Sequence, residues 1–151
     1  MTELNLPDIE LNIKQIKGKN YVFDPLRNNF VRLTPEEFVR QHFTAFLINQ
    51  KNYPKNRMAN EIEITLGNLH RRCDTVVYDE FLQPLMIVEY KAPSVALSQQ
   101  TFDQISRYNM SLAVPWLAVS NGIAHYCCKI DVKNREYAFL KDIPDYKDLK
   151  A

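Results

Sequence analysis

RRCDTVVYDEFLQPLMIVEYK, residues 71–91, reads as two short apolar strands joined by a polar turn, and its reading decides the fold. Asp74 heads the first strand, while Glu89 and Lys91 stand near the end of the second. Side chains alternate between faces along a strand, so Leu85, Ile87, Glu89 and Lys91 share one face and Met86, Val88 and Tyr90 the other. An acid and an amine therefore interrupt one apolar face side by side. Taking such charges out of water is costly unless they are paired, solvated by a cleft or bound to a metal. The strand end is thus a candidate site.

Metal-assisted hydrolysis of a phosphodiester uses this set of groups. Asp74 and Glu89 would hold Mg²⁺, a hard cation that prefers carboxylate oxygen and keeps several waters, with Mn²⁺ as a substitute. The ion would polarise a phosphoryl oxygen and acidify a bound water. Lys91, partly desolvated beside it, would orient or deprotonate that water and offset charge on the phosphorus. The backbone carbonyl of Tyr90 is a further candidate ligand.

Asp74, then fourteen residues, then Glu89-Tyr90-Lys91 resembles the D…ExK signature of the PD-(D/E)xK nuclease superfamily. The run through TPEEFVRQHF, YPKNRMANEIEI, RRCDTVVYD, PLMIVEYKAPS, FDQISRYN and NGIAHYCCKID is similar to the nuclease domain at the N-terminus of type I restriction endonuclease R subunits, over roughly residues 30 to 131. Cys73 stands where the superfamily's "PD" has proline, a position that varies widely. The resemblance implies a three-layer α/β/α restriction-endonuclease-like fold with a central mixed sheet, and DNA as substrate. It also implies that Gln104 and Tyr108 of FDQISRYN, matching a Q-xxx-Y element, position the DNA backbone or the active-site groups. Arg107 and Arg72 are candidate phosphate contacts.

A chain of 151 residues, 46% hydrophobic and 25% charged, suits a single globular domain with its own core. No apolar run approaches a bilayer span, and MTELNLPDIEL lacks the basic-then-apolar order of a secretory signal, so the expected location is the cytoplasm. Cys73, Cys127 and Cys128 lack the CxxC spacing of a zinc site and read as small buried hydrophobes. A formal charge of +1 leaves DNA binding to a local basic surface, for which Lys51, Lys55, Arg57, Arg71 and Arg72 are available. A merely solvated surface accounts for these residues equally well.

Residues 1–10 read as a loose lead-in, and 11–33 as one or two hairpins, so that 1–33 forms an N-terminal extension on a nuclease-like core of 34–142. TPEEFVRQHFTAFLINQK is the clearest helix: Thr34 caps it, Pro35 suits the first turn, Glu37 completes a Thr-x-x-Glu box, and Val39, Phe43, Phe46 and Leu47 form the buried stripe. At 100° per residue Glu36 projects near Val39 and Phe43, which makes it the auxiliary acid expected to reach the cleft, with Glu37 left as a cap. Two first-turn acids favoured by the helix dipole are the simpler alternative. RMANEIEITL is a strand with Ile62 and Ile64 inward and Glu61 and Glu63 outward, turning at Gly67-Asn68 through a loop that could extend over LHRR. Three consecutive short-linked strands form an antiparallel meander, which places Asp74 and Glu89 at one end of the sheet.

A second helix is expected from about Ser98 to Leu112, with Phe102, Ile105, Asn109 and Leu112 inward. PWLAVS then runs parallel to the Glu89 strand, Asn121-Gly122 turns into IAHYCCKID, YAFL is an edge strand, and 143–151 is a polar tail. His125 reads as a catalytic base or, more simply, as a packed, hydrogen-bonded histidine. No G-xxxx-GK run is present, so this chain is expected to bind no ATP. Motor or specificity functions would belong to separate chains. The expectation is a Mg²⁺-dependent DNA endonuclease module; a catalytically silent DNA-binding or assembly module of the same fold is the alternative.

Overall fold

A computed structural model describes residues 3–150. Three short strands come first, β1 (Ile13–Ile16), β2 (Lys19–Asp24) and β3 (Asn29–Arg32), followed by helix α1 (Pro35–Gln50). Then come β4 (Met58–Leu66), β5 (Leu69–Tyr78), β6 (Pro84–Tyr90), α2 (Gln99–Met110), β7 (Trp116–Ser120), β8 (His125–Asp131) and β9 (Glu136–Leu140). β1–β3 make a small antiparallel meander, and β4–β9 form a six-stranded sheet in chain order. All neighbours in that sheet are antiparallel except β6 and β7, which are parallel and joined through α2.

The sheet is the middle of three layers. Val39, Phe43 and Leu47 of α1 pack with Val77, Met86, Val88, Tyr90, Trp116 and Ala118 on one face. Phe102 and Met110 of α2 pack with Val76, Ile87, Leu117, Val119 and Cys128 on the other. The central strands β6 and β7 are covered on both sides, so they are continuous apolar runs, while the outer strands alternate. The architecture is the three-layer α/β/α arrangement of restriction-endonuclease-like folds.

Thr34 caps α1 as its sequence predicts, its side chain accepting the Glu37 amide at 3.1 Å. Ser98 does the same for α2 through Thr101. The β4–β5 hairpin is tighter than expected: Leu66 pairs with Leu69 across Gly67-Asn68, so LHRR belongs to β5 and not to a loop. Gly67 provides the positive φ of +60° that such a two-residue turn needs.

Both chain ends depart from the sequence reading. Met1, Thr2 and Ala151 lie outside the described residues, but the rest of the lead-in is docked: the Asn5 amide donates to the Gly122 carbonyl at 2.8 Å, and His125 Nε2 meets the Asn5 carbonyl at 3.0 Å. The polar tail is anchored too, with Ile143 and Leu149 buried, Tyr53 Oη donating to the Pro144 carbonyl and Trp116 Nε1 to the Lys150 carbonyl. A few apolar residues and main-chain groups fix these segments, which average composition conceals. His125 is the packed histidine of the simpler reading: burial, only partly opposed by its bond to Asn5, holds its imidazole below the usual range. All three cysteines are free and buried, and burial pushes Cys73 to about 11, Cys127 to about 12 and Cys128 to about 11. None is a thiolate near neutral pH.

Gly122 has φ +86°, and a Cβ there would stand 2.7 Å from Leu4 Cδ2 and 3.3 Å from Val39 Cγ2. Gly122→Ala is expected to lower stability by about 1–2 kcal/mol through backbone strain and loss of the docked lead-in. Urea denaturation of both proteins measures the loss.

Candidate active site

The site begins with a break in strand alternation. Asn60 and Thr75 bond one another at 2.6 Å and reach Tyr90 Oη on the α1 side. Ile62 and Cys73 pack in the core on the α2 side. Residues two apart on a regular strand share a face, so β4 and β5 both change face between these pairs, at Glu61 and Asp74. Glu61 takes φ +55° to do so. No period-two reading anticipates this, and it is why Glu61, expected to point outward, is half-buried.

The same break re-aims Asp74. Its Oδ2 accepts the Tyr90 amide at 2.9 Å, replacing a ladder partner on β6. Thr75 pairs with Val88 in the β5–β6 register, which carries Asp74 to the level of Glu89. Lys91 follows directly, its amide donating to the Ser120 carbonyl of β7 at 2.9 Å, and its charge is felt at Asp74. The register therefore sets Asp74 beside Glu89, Tyr90 and Lys91 where β6 ends, with Asp74 in the interior of β5 and not at its head as the sequence suggested.

The two acids have different surroundings. Burial pushes the Asp74 carboxyl above its ordinary value of 3.8; the Tyr90 amide, Arg40 and Lys91 oppose that push, and Glu61 adds to it. Glu89 is enclosed instead by donors: Arg71 Nη2 bonds its Oε1, and Asn109 Nδ2 of α2 reaches the same oxygen at 3.2 Å. The structure thus supplies two partners that the sequence reading did not assign to the site, Arg71 and Asn109.

Helix α1 approaches through a different acid from the expected one. Glu36 is exposed, whereas Glu37 is buried. Glu37 accepts from Arg40 at 2.7 and 3.1 Å, from Arg27 at 2.6 Å and from Gln41 at 2.9 Å. Arg40 in turn donates to the Asp74 carbonyl at 2.7 Å and to Glu61 at 2.9 Å. The apolar stripe placed Glu36 nearer the core, but the helix buries a second stripe, Glu37-Arg40-Gln41-Thr44, made of polar residues that hydrophobic periodicity ignores. Burial alone raises the Glu37 carboxyl; the bonds from Arg40 and Arg27 reverse this and hold it below its usual 4.5.

The residues expected to touch DNA are exposed. Gln104, Arg107 and Tyr108 are exposed on α2, with the Tyr108 ring beneath the Arg71 guanidinium at 4.0 Å. Arg72 is exposed and paired with Glu61 at 3.2 Å.

Over residues 35–144 the sequence matches the family described as Type I restriction enzyme R protein N terminus (HSDR_N). The chain belongs to that family. Among solved structures, a fragment assigned as an HsdR subunit of a type I restriction enzyme from Vibrio vulnificus superposes with a TM-score of 0.54 at 19% identity. The superposition covers 78% of this chain and 24% of that one, so the chain spans about a quarter of the fragment's length. At this identity the likeness speaks for the fold. Among curated proteins, none matches the sequence.

The donors available beside the β6 end are of the kind a hard cation takes. Among the described residues no three His, Cys, Asp or Glu side chains converge as a metal site. Two carboxylates with an adjoining backbone carbonyl are what remains, an oxygen set that fits an ion keeping several of its waters and not a closed tetrahedral zinc site. Asn109 Oδ1, buried and without a partner among the described residues, is a further neutral oxygen beside Glu89.

Glu37→Gln is expected to cost about 3 kcal/mol, because it leaves the Arg40 charge buried and under-compensated. Glu36→Gln should change stability by less than about 0.5 kcal/mol; equal losses in chemical denaturation would contradict the assignment. Asp74 has the opposite sign. A raised carboxyl contributes stability below its ordinary range and loses it as pH rises, so at pH 7 its charge is destabilising. Asp74→Asn should therefore melt about 2 °C higher than the wild type at neutral pH. Added Mg²⁺ should raise the melting temperature of the wild type only.

Proposed function

We propose that this domain is a metal-dependent DNA endonuclease. The observation that supports the reading is the strand register that sets Asp74, desolvated, beside Glu89 and near the charge of Lys91. Asp74 and Glu89 would hold Mg²⁺, or Mn²⁺ in its place, with the Tyr90 carbonyl adjoining. When bound, the ion supplies Lewis-acid polarisation of the phosphoryl oxygen and a more acidic water.

The chain's own residues do the rest. Lys91, half-buried and electrostatically coupled to Asp74, positions the attacking water and takes or shares its proton. Its positive charge also offsets the charge that develops on the phosphate oxygens. Arg40 holds the Asp74 main chain through its carbonyl, so the carboxylate is presented by a fixed strand. Gln104, Arg107, Tyr108 and Arg72, all exposed, would contact the sugar–phosphate backbone, consistent with binding that depends on salt more than on base sequence. Translocation and sequence choice we assign to other domains or chains of the type I system.

A second reading, a DNA-binding or assembly module without catalysis, draws on one observation: Glu89 is already engaged by Arg71 and Asn109. Supercoiled plasmid incubated with Mg²⁺ or Mn²⁺ separates the two. Cutting is expected from the wild type, with Asp74→Ala and Lys91→Ala each at least about 100-fold slower. DNA retention without cutting by the wild type supports the silent module and ends the endonuclease reading.

A further inference from the structure

Arg71 belongs by sequence to a basic DNA-facing surface, yet its side chain lies across the site. Its Nη2 donates to Glu89 Oε1, the guanidinium carbon is 4.0 Å from the Tyr108 ring centroid, and Nη1 is buried with no acceptor among the described residues. Asn109 shares the same Glu89 oxygen. One of the two carboxylates suited to a divalent cation thus already carries a cation, supplied from β5 three positions before Asp74.

We infer that Arg71 is the resident counter-ion of Glu89, displaced when a divalent cation binds, and that the released guanidinium then pairs with a backbone phosphate of DNA. Arg71 and Asn109 both donate to Oε1 of Glu89, and a guanidinium held there repels a divalent cation arriving at the same carboxylate, so the two compete for it. Tyr108 is 58% exposed and the Arg71 side chain 14%, so the ring forms the outer face of the stacked pair. A swing of Arg71 over that ring keeps its cation–π contact while exchanging a carboxylate for a phosphate, and the guanidinium fork matches both acceptors. Its partnerless Nη1 shows that Glu89 does not use the whole fork. Metal and DNA then favour the same state, in which Arg71 has left Glu89, and each tightens the other by linkage. The inference rests on the metal-dependent nuclease reading and adds a regulation of its site.

The test is Mn²⁺ titration by calorimetry of the full chain as wild type, Arg71→Ala and Arg71→Lys, without DNA, beside binding of a short duplex with and without Ca²⁺. Without DNA, Arg71→Ala should bind Mn²⁺ about tenfold tighter than the wild type, with Arg71→Lys between them. Arg71→Ala should weaken duplex binding about tenfold with Ca²⁺ present and little without it. Arg71→Lys preserves the charge that balances Glu89, so its Mn²⁺ affinity decides the matter should Arg71→Ala fail to fold. Equal Mn²⁺ affinities across the folded proteins overturn the displacement and leave the nuclease reading standing. Absence of Mn²⁺ binding in all of them removes both.

Discussion

The buried guanidinium of Arg40 is the constraint from which the rest of the molecule follows. It is only 6% exposed, and a charge so far from water costs several kcal/mol unless its hydrogen bonds are met by anions or carbonyls. Glu37 on its own helix, Glu61 on β4 and the Asp74 carbonyl on β5 meet them. Helix α1 is thereby tied to two strands at the level where both change face. The network continues outward: Arg27 joins Glu37 to Asp24, which is fully buried on β2 and accepts from Asn60 at 2.9 Å. The small meander is thus part of the support for the site and not merely a cover over a sheet edge.

Within this frame the carboxylates divide by their surroundings. Burial acts against ionisation of Asp24, Glu37 and Glu61, but hydrogen bonds from Asn60, Arg27, Arg40 and Arg72 outweigh it and hold all three low. The stability they contribute is present above the ordinary carboxylate values and is lost as pH falls below these through the lowered values of the folded state. Asp74 has too little compensation and is raised. Three of these acids are thus well paired, and the fourth is desolvated in the interior of β5.

In the central sheet the parallel β6–β7 pair, bridged by α2, puts Lys91, Ser120 and the α2 residues Tyr108 and Asn109 around one strand end. The order of strands, more than any one residue, makes that end a meeting place. The second stripe of α1, polar and buried, closes the other side.

Local periodicity was enough for the two helices, the Thr34 cap, the parallel step from β6 to β7 and the pairing of the Asp74 and Glu89 strands, because alternation, capping chemistry and linker length act between near neighbours. It failed where the outcome depends on partners far along the chain. Glu36 and Glu37 are adjacent in sequence, and only Arg27 and Arg40 packed against β4 and β5 determine which is buried. The face change at Glu61 and Asp74, the docking of the lead-in on Gly122 and His125, and the anchoring of the last residues by Tyr53 and Trp116 are likewise long-range. The sequence by itself determined the two helices and the order of the central strands, and so put Asp74 and Glu89 on neighbouring strands. The tertiary structure decided which charges are paired and which oxygens remain open, since pairing across a core is a property of distance in space and not along the chain.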